Sequence, residues 1–94
     1  IAMAGNCAGW PDSIEPLPPI ATGVAPAALV IGVTSDAQTP LAWSETMANA
    51  IGGHFLGSSH EGHTSVFNDE SSCVDSIVTT FLLDGLLPGA ANCL

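Results

Sequence analysis

Two residues of this 94-residue chain could act together as a carboxylate–imidazole pair. Asp36 and His63 each come just after a stretch that is predicted to be a β-strand. A carboxylate that accepts the Nδ1 proton of an imidazole fixes the tautomer of the ring. It also stabilises the imidazolium that forms when the ring takes a proton from a nucleophile. The pair therefore predicts nucleophilic hydrolysis, with Asp36 as the orienting carboxylate and His63 as the general base.

His60 is the other candidate for the base, because it precedes His63 by only a few residues. It falls at the predicted end of a strand, whereas His63 follows Gly62, a small residue that would let the backbone approach a catalytic centre closely. We therefore favour His63. His54 opens the same strand, and we expect it to be structural.

The nucleophile is missing from the sequence. No G-x-S-x-G pattern, which places a serine on a sharp turn between a strand and a helix, occurs in the chain. Ser58 and Ser59 precede the histidine loop and fit neither the pattern nor its context. The reaction therefore needs a serine and oxyanion-hole donors from outside these residues, and we expect the chain alone to be inactive.

Two predicted strands must position the pair. Residues 27–33 form a continuous apolar run, which is typical of a parallel strand covered on both faces, and residues 54–58 form a shorter second strand. Loops that follow parallel strands meet at the carboxyl edge of the sheet, so we expect Asp36 and His63 to lie close together. Two strands cannot hide their own edges. The prediction is therefore an α/β fold whose sheet continues outside this sequence.

A helix is predicted between the strands, with Thr39 as its N-cap and Pro40 as its first residue. Gly52 ends this helix. Trp43 and Met47 fall on one of its faces at helical spacing, so we expect both side chains to pack in the core.

A last helix is predicted over residues 72–84, with an apolar stripe on one face and Gly85 as its stop signal. Proline-rich sequence before the first strand prevents a regular element there. We therefore divide the chain into a connecting segment, residues 1–26, and a catalytic-domain part, residues 27–94.

Composition excludes several classes of partner. Nine acidic residues face no lysine or arginine, which gives a formal net charge of −9. Such a chain cannot neutralise phosphates, so neither nucleic acid nor an anionic membrane surface is an expected partner. No apolar run is long enough to span a membrane. A stand-alone acidic binding module, without catalysis, remains an alternative function.

Three cysteines are present, and none belongs to a C-x-x-C pair, so we predict neither a zinc site nor a thioredoxin-like redox site. The hydrolysis predicted from Asp36 and His63 implies no metal or organic cofactor. In an exported protein, an odd number implies one internal bridge and one partner outside these residues. The alternative is three buried, reduced thiols. The residues concerned are Cys7, Cys73 and Cys93.

Three stretches of sequence form a set in this order: IGVTSDAQTP at residues 31–40, EGHT at residues 61–64, and SCVD at residues 72–75, followed by FLLDG and LP. The set resembles the triad-acid loop, the histidine loop and the closing helix of the TAP-like C-terminal region of α/β-hydrolases. That family includes secreted tripeptidyl aminopeptidases and related serine hydrolases of actinobacteria. One departure is Ala37, where many relatives have proline.

The resemblance covers nearly the whole chain from Cys7 onward. It implies the C-terminal fragment of an α/β-hydrolase fold, comprising the last two parallel strands with the crossover and terminal helices, and not an independent domain. Asp36 and His63 would be the triad acid and base. Cys73 would pair with Cys93, and Cys7, in a Cys-x-x-Trp-Pro stretch, with a cysteine outside the chain.

The resemblance also implies the function of the parent protein. It would be a secreted or cell-surface serine peptidase of the tripeptidyl-aminopeptidase type, acting on peptides without a cofactor. The upstream part of the same protein would be the partner that carries the nucleophilic serine. A carboxylesterase or lipase-like hydrolase is the closest alternative.

Overall fold

Four regular elements follow one another in the order strand, helix, strand, helix. The computed structural model describes residues 5–19, 21–89 and 92–94. Strand β1 spans Leu29–Ser35, helix α1 spans Leu41–Ile51, strand β2 spans His54–Glu61 and helix α2 spans Ser72–Asp84. The α/β class and the order of elements predicted from the sequence are confirmed.

The two strands pair in parallel, from Leu29 opposite His54 to Ser35 opposite Glu61, with an irregularity near the end. Both strands extend further toward their carboxyl ends than predicted. The prediction that β2 ends at Ser58 is wrong, since pairing continues to Glu61. Polar residues at these positions gave no strand signal, and the extension comes from backbone bonds to neighbouring segments. His60 therefore lies within a strand.

The core lies on one face of the sheet, against α2. Leu56, Val74 and Val78 are buried together, and Leu29 and Ile31 pack against them. These strand residues alternate with residues that point to the opposite face, as the pleat requires. Val74, Ile77 and Val78 of the apolar stripe predicted for α2 therefore cover the sheet, whereas Leu82 of the same predicted stripe is 65% exposed.

Helix α1 covers the other face and comes very close to β1. A Cβ atom on Gly32 would lie 2.8 Å from the Cβ of Ser44 and 3.0 Å from a methyl group of Leu41. Only glycine leaves room for this approach. The face of α1 that meets β1 therefore combines Leu41 with the small residues Ser44 and Ala48, of which Ala48 is buried.

Two predictions about α1 are wrong. Pro40, in an extended conformation, is the N-cap residue, and the Thr39 side chain makes no cap bond. Trp43 is 65% exposed and Met47 is 42% exposed, so neither is a core residue of the described chain. Leu41, Ser44 and Ala48 occupy the side of α1 that meets the sheet, so the Trp43 and Met47 side chains point outward.

The C-terminal tail pairs with β2 on the side opposite β1. The Cys93 N–H donates to the Gly57 carbonyl at 2.9 Å, and the Ser59 N–H donates to the Cys93 carbonyl at 3.2 Å. A disulfide joins Cys93 to Cys73 in α2, with their Cα atoms 5.8 Å apart. The bridge therefore ties α2, the tail and β2 together.

Residues 5–19 contain turns but neither a helix nor a strand, as their prolines dictate. Their apolar side chains, including Trp10, Ile14 and Leu17, are exposed. The boundary between residues 26 and 27 stays a prediction, and the first four residues and residue 20 lie outside the described residues. Within the described ranges, no helix is long and apolar enough to cross a membrane.

Candidate active site

Asp36 is the first residue after β1, and its side chain is buried in a tight turn that its own carboxylate stabilises. Its Oδ1 accepts hydrogen bonds from the backbone N–H groups of Gln38 at 2.8 Å and Thr39 at 2.9 Å. The Thr39 hydroxyl donates to Oδ2 at 2.7 Å. Aspartate favours such turns because its short side chain reaches backbone donors a few residues ahead. The turn fixes the carboxylate at the carboxyl edge of the sheet.

These bonds hold the pKa of Asp36 well below its ordinary value. The backbone N–H of Thr39 contributes most to the lowering of this pKa, while burial opposes it. The Thr39 hydroxyl, His63 and the Gln38 N–H lower it further. Asp36 is therefore ionised at neutral pH, and an ionised carboxylate can only accept hydrogen bonds.

His63 follows β2 by two residues and meets Asp36 across the sheet edge. Its Nδ1 lies 2.8 Å from Asp36 Oδ2, although 27 positions separate the two residues. Gly62 turns the chain between the end of β2 and His63 with a φ of +119°, which residues other than glycine rarely adopt. A Cβ on Gly62 would meet nothing within 4 Å. Among the described residues the positive φ is therefore what calls for glycine at this position, and the close backbone approach to a catalytic centre completed from outside the chain stays a prediction.

The geometry selects one tautomer of His63. Because Asp36 is an acceptor only, Nδ1 must carry the proton and donate it. The Thr39 hydroxyl oxygen lies 3.3 Å from the same nitrogen. The Nε2 atom of the neutral ring then carries a lone pair, and the side chain is 39% exposed. The His63 ring is thus held at Nδ1 while its side chain stays partly accessible to an incoming group.

A depression of about 210 Å³ lies beside this pair. Its lining combines apolar side chains with the two candidate residues and their neighbours. The lining residues are Ile31, Val33, Asp36, Thr39, His63, Thr64, Ser65 and Val66.

His60 lies apart from this pair and binds other partners. Its Nε2 is 2.8 Å from the Thr64 carbonyl, and its Nδ1 is 3.2 Å from the Ser58 hydroxyl. Both ring nitrogens are therefore occupied, which argues against His60 as a base. Ser58 beside it is fully buried, so this serine–histidine contact cannot present a nucleophile to a substrate.

The cysteines separate into a bridge and a single thiol. The structure joins Cys73 and Cys93 and leaves Cys7 exposed, without a partner among the described residues. Its pairing with a cysteine outside the chain stays a prediction. Across residues 5–19, 21–89 and 92–94, no group of three or more His, Cys, Asp or Glu side chains is arranged to hold a metal ion.

Sequence reasoning missed the role of Thr39, which it assigned to a helix cap. The signal was available in part, because threonine three residues after an aspartate can close a turn on that carboxylate. The bond from the Ser65 hydroxyl to the Ser58 hydroxyl gave no such signal, since it depends on a tertiary contact.

Comparison with known proteins agrees with this architecture. The serine protease Hip1 of Mycobacterium tuberculosis is 35% identical over 95 residues, which cover 98% of this chain and 18% of that protein. Carboxylesterase B of the same species is 36% identical over 83 residues, which cover 87% of this chain and 16% of that protein. A putative hydrolase of Mycobacterium bovis matches equally well. The chain thus spans less than a fifth of these relatives.

Parallel strands joined by a crossover helix, with an acid loop and a histidine loop at one sheet edge, define the C-terminal region of an α/β-hydrolase. The family described as TAP-like protein matches residues 1–93. The chain belongs to this family, and the resemblance predicted from its motifs is confirmed.

Proposed function

We propose that this chain is the acid-and-base-bearing part of a serine peptidase. In the intact protein, a serine from outside residues 1–94 attacks a peptide carbonyl. His63 takes the serine proton on Nε2 and then gives it to the leaving amine. Asp36 orients His63 and stabilises the imidazolium. Water activated by His63 then hydrolyses the acyl-enzyme.

One observation carries the proposal: the 2.8 Å bond between Asp36 Oδ2 and His63 Nδ1. It directs the Nε2 lone pair away from the carboxylate, as the general base of a triad needs. The chain order of acid before base is also the α/β-hydrolase order.

A peptide substrate is the preferred choice because the protease relative aligns over 98% of the chain. Within this class we propose cleavage of tripeptides from the N-terminus, as the resemblance of the loops to tripeptidyl aminopeptidases implies. Ester hydrolysis is the second candidate, favoured by the similarity to carboxylesterase B over 87% of the chain.

We also propose that the protein works outside the cytoplasm. The bridge between Cys73 and Cys93 supports this, because disulfides persist in oxidising compartments. Alkylation of free thiols in intact cells, followed by mass spectrometry of the protein, tests the proposal. Recovery of the native protein with both cysteines alkylated would contradict it.

The catalytic proposal is tested in the intact protein with His63→Ala and Asp36→Asn, with Glu45→Gln on the exposed side of α1 as the matched control. We expect His63→Ala to abolish turnover and Asp36→Asn to lower kcat by roughly 10⁴-fold, since asparagine favours the wrong tautomer. Glu45→Gln should behave as wild type. Unchanged kcat in His63→Ala would refute the proposed base.

The substrate is tested by comparing tripeptidyl amides with p-nitrophenyl esters. Turnover of the amides with release of intact tripeptides supports the peptidase. Ester cleavage without any peptide cleavage would replace it with the esterase.

A further inference from the structure

The loop that carries His63 is held by a chain of hydrogen bonds that starts inside the protein. The Ser65 hydroxyl donates to the Ser58 hydroxyl at 2.9 Å. The Ser58 hydroxyl contacts His60 Nδ1 at 3.2 Å, and His60 Nε2 contacts the Thr64 carbonyl at 2.8 Å. Ser58 and Ser65 are both buried. This series of hydrogen bonds therefore runs from the core to Thr64, the residue that follows His63.

The direction of these bonds is fixed by chemistry. A carbonyl only accepts, so Nε2 of His60 is the donor to Thr64. In the neutral ring, Nδ1 is then an acceptor and receives the Ser58 hydroxyl hydrogen, while the Ser58 oxygen accepts from Ser65. Each donor in this series of hydrogen bonds has one acceptor. His60 is thus committed to this tautomer by contacts on both sides of its ring.

Thr64 needs such support because its backbone is strained. Its φ is +70°, a left-handed conformation that is costly for a β-branched residue. Such a conformation persists only where the surroundings impose it. The Thr64 carbonyl accepts from His60 and also, at 3.1 Å, from the Asn68 side-chain amide. His60 is the rigid member of this pair, since it lies in β2.

We propose that His60 is a positioning residue for His63. By binding the Thr64 carbonyl it holds the left-handed turn, and the turn aims His63 Nδ1 at Asp36. The alternative is that His60 only fills space at the end of β2. Only the Nε2 donor of His60 performs the positioning, so substitutions that keep or remove a donor at that place separate the two alternatives.

Two variants of the intact protein test the Nε2 and Nδ1 positions of the His60 ring separately. His60→Gln keeps a donor near the Nε2 position, whereas His60→Asn keeps polar atoms only near the Nδ1 position. We expect His60→Gln to retain most of kcat. His60→Asn should lower kcat roughly 10- to 100-fold with KM unchanged, because small misplacement of a catalytic group has effects of this size. His54→Gln, at the start of β2, is the matched control and should leave kcat unchanged.

A second readout follows the His63–Asp36 bond directly. In protein with ¹⁵N-labelled histidine, the hydrogen-bonded Nδ1 proton of His63 gives a downfield resonance. We expect it to persist in His60→Gln and to broaden in His60→Asn through faster exchange with water. Equal kcat and equal resonances in the two variants, or equal losses in both, would overturn the proposal.

The kinetic readout rests on the proposed function, whereas the resonance does not. Full activity in His63→Ala would refute the proposed base and leave the resonance as the test of positioning. If His63→Ala is inactive, an unaltered resonance and unaltered kcat in His60→Asn would refute positioning alone.

Discussion

Thr39 binds Asp36 with both its backbone and its side chain. Its N–H donates to Oδ1 at 2.9 Å, and its hydroxyl donates to Oδ2 at 2.7 Å. The same hydroxyl oxygen lies 3.3 Å from His63 Nδ1. Thr39 therefore touches both members of the candidate pair, and it holds the carboxylate oxygen that faces the imidazole.

Removal of this hydroxyl should weaken the pair. We expect Thr39→Val, which keeps the shape and the backbone N–H, to lower kcat/KM by roughly 10- to 100-fold, because hydrogen bonds to charged groups contribute about 1.5–3 kcal/mol. Thr39→Ser keeps the hydroxyl and should stay near wild type. Steady-state kinetics of the intact protein measures both. Equal rates in the two variants would show that the hydroxyl is dispensable.

Asp36 should also make stability depend on pH. Its folded-state pKa is lowered, so the unfolded chain binds the proton more readily. Stability contributed by Asp36 is therefore fully present above its unfolded pKa, about 3.9, and is lost as pH falls through the folded pKa. Urea unfolding of the intact protein, repeated at pH values from 7 down to the lowest at which it folds, measures this dependence of stability on pH. The difference in the free energy of unfolding between wild type and Asp36→Asn should shrink below about pH 4.

Asp84→Asn, at the exposed end of α2, is the control for this measurement. Its difference from wild type should change little over the same range. A difference between wild type and Asp36→Asn that stays constant down to the acid limit would contradict the assignment.

The bridge between Cys73 and Cys93 closes a loop with a sequence separation of 20 residues. Its removal by paired serine substitutions should lower the free energy of unfolding by about 3 kcal/mol in the chain-entropy model. The loss should appear as a lower midpoint of urea unfolding. Cys7→Ser is the control for loss of a cysteine outside the bridge. A midpoint that is the same with and without the bridge would be inconsistent with this prediction.

Gly32 and Gly57 provide a matched pair in the sheet, because they face each other in the register. A Cβ on Gly32 would lie 2.8 Å from the Ser44 Cβ, which α1 holds in place. A Cβ on Gly57 would lie 3.0 Å from a terminal methyl group of the Leu94 side chain. We expect Gly32→Ala to cost about 1–3 kcal/mol and Gly57→Ala to cost less. Thermal unfolding of the two variants compares them, and a larger loss for Gly57→Ala would be the contrary result.

Much of the fold follows from local sequence signals. The apolar run before Asp36 specified β1, and the serine- and glycine-bounded apolar stripe specified α2 at its observed bounds. The outward orientation of Trp43 could not be predicted, because it depends on how closely α1 approaches Gly32. Spacing identifies the faces of a helix but does not say which face meets the sheet.

The sequence by itself determined the types and order of the candidate residues, because a carboxylate after one parallel strand and an imidazole after the next must reach the same sheet edge. The sequence favoured His63 over His60, but only the tertiary structure decided what each ring contacts. Strand β2 continues through His60 and the chain turns at Gly62. The strand directs the His60 ring to Ser58 and Thr64, and the turn delivers the His63 ring to the carboxylate.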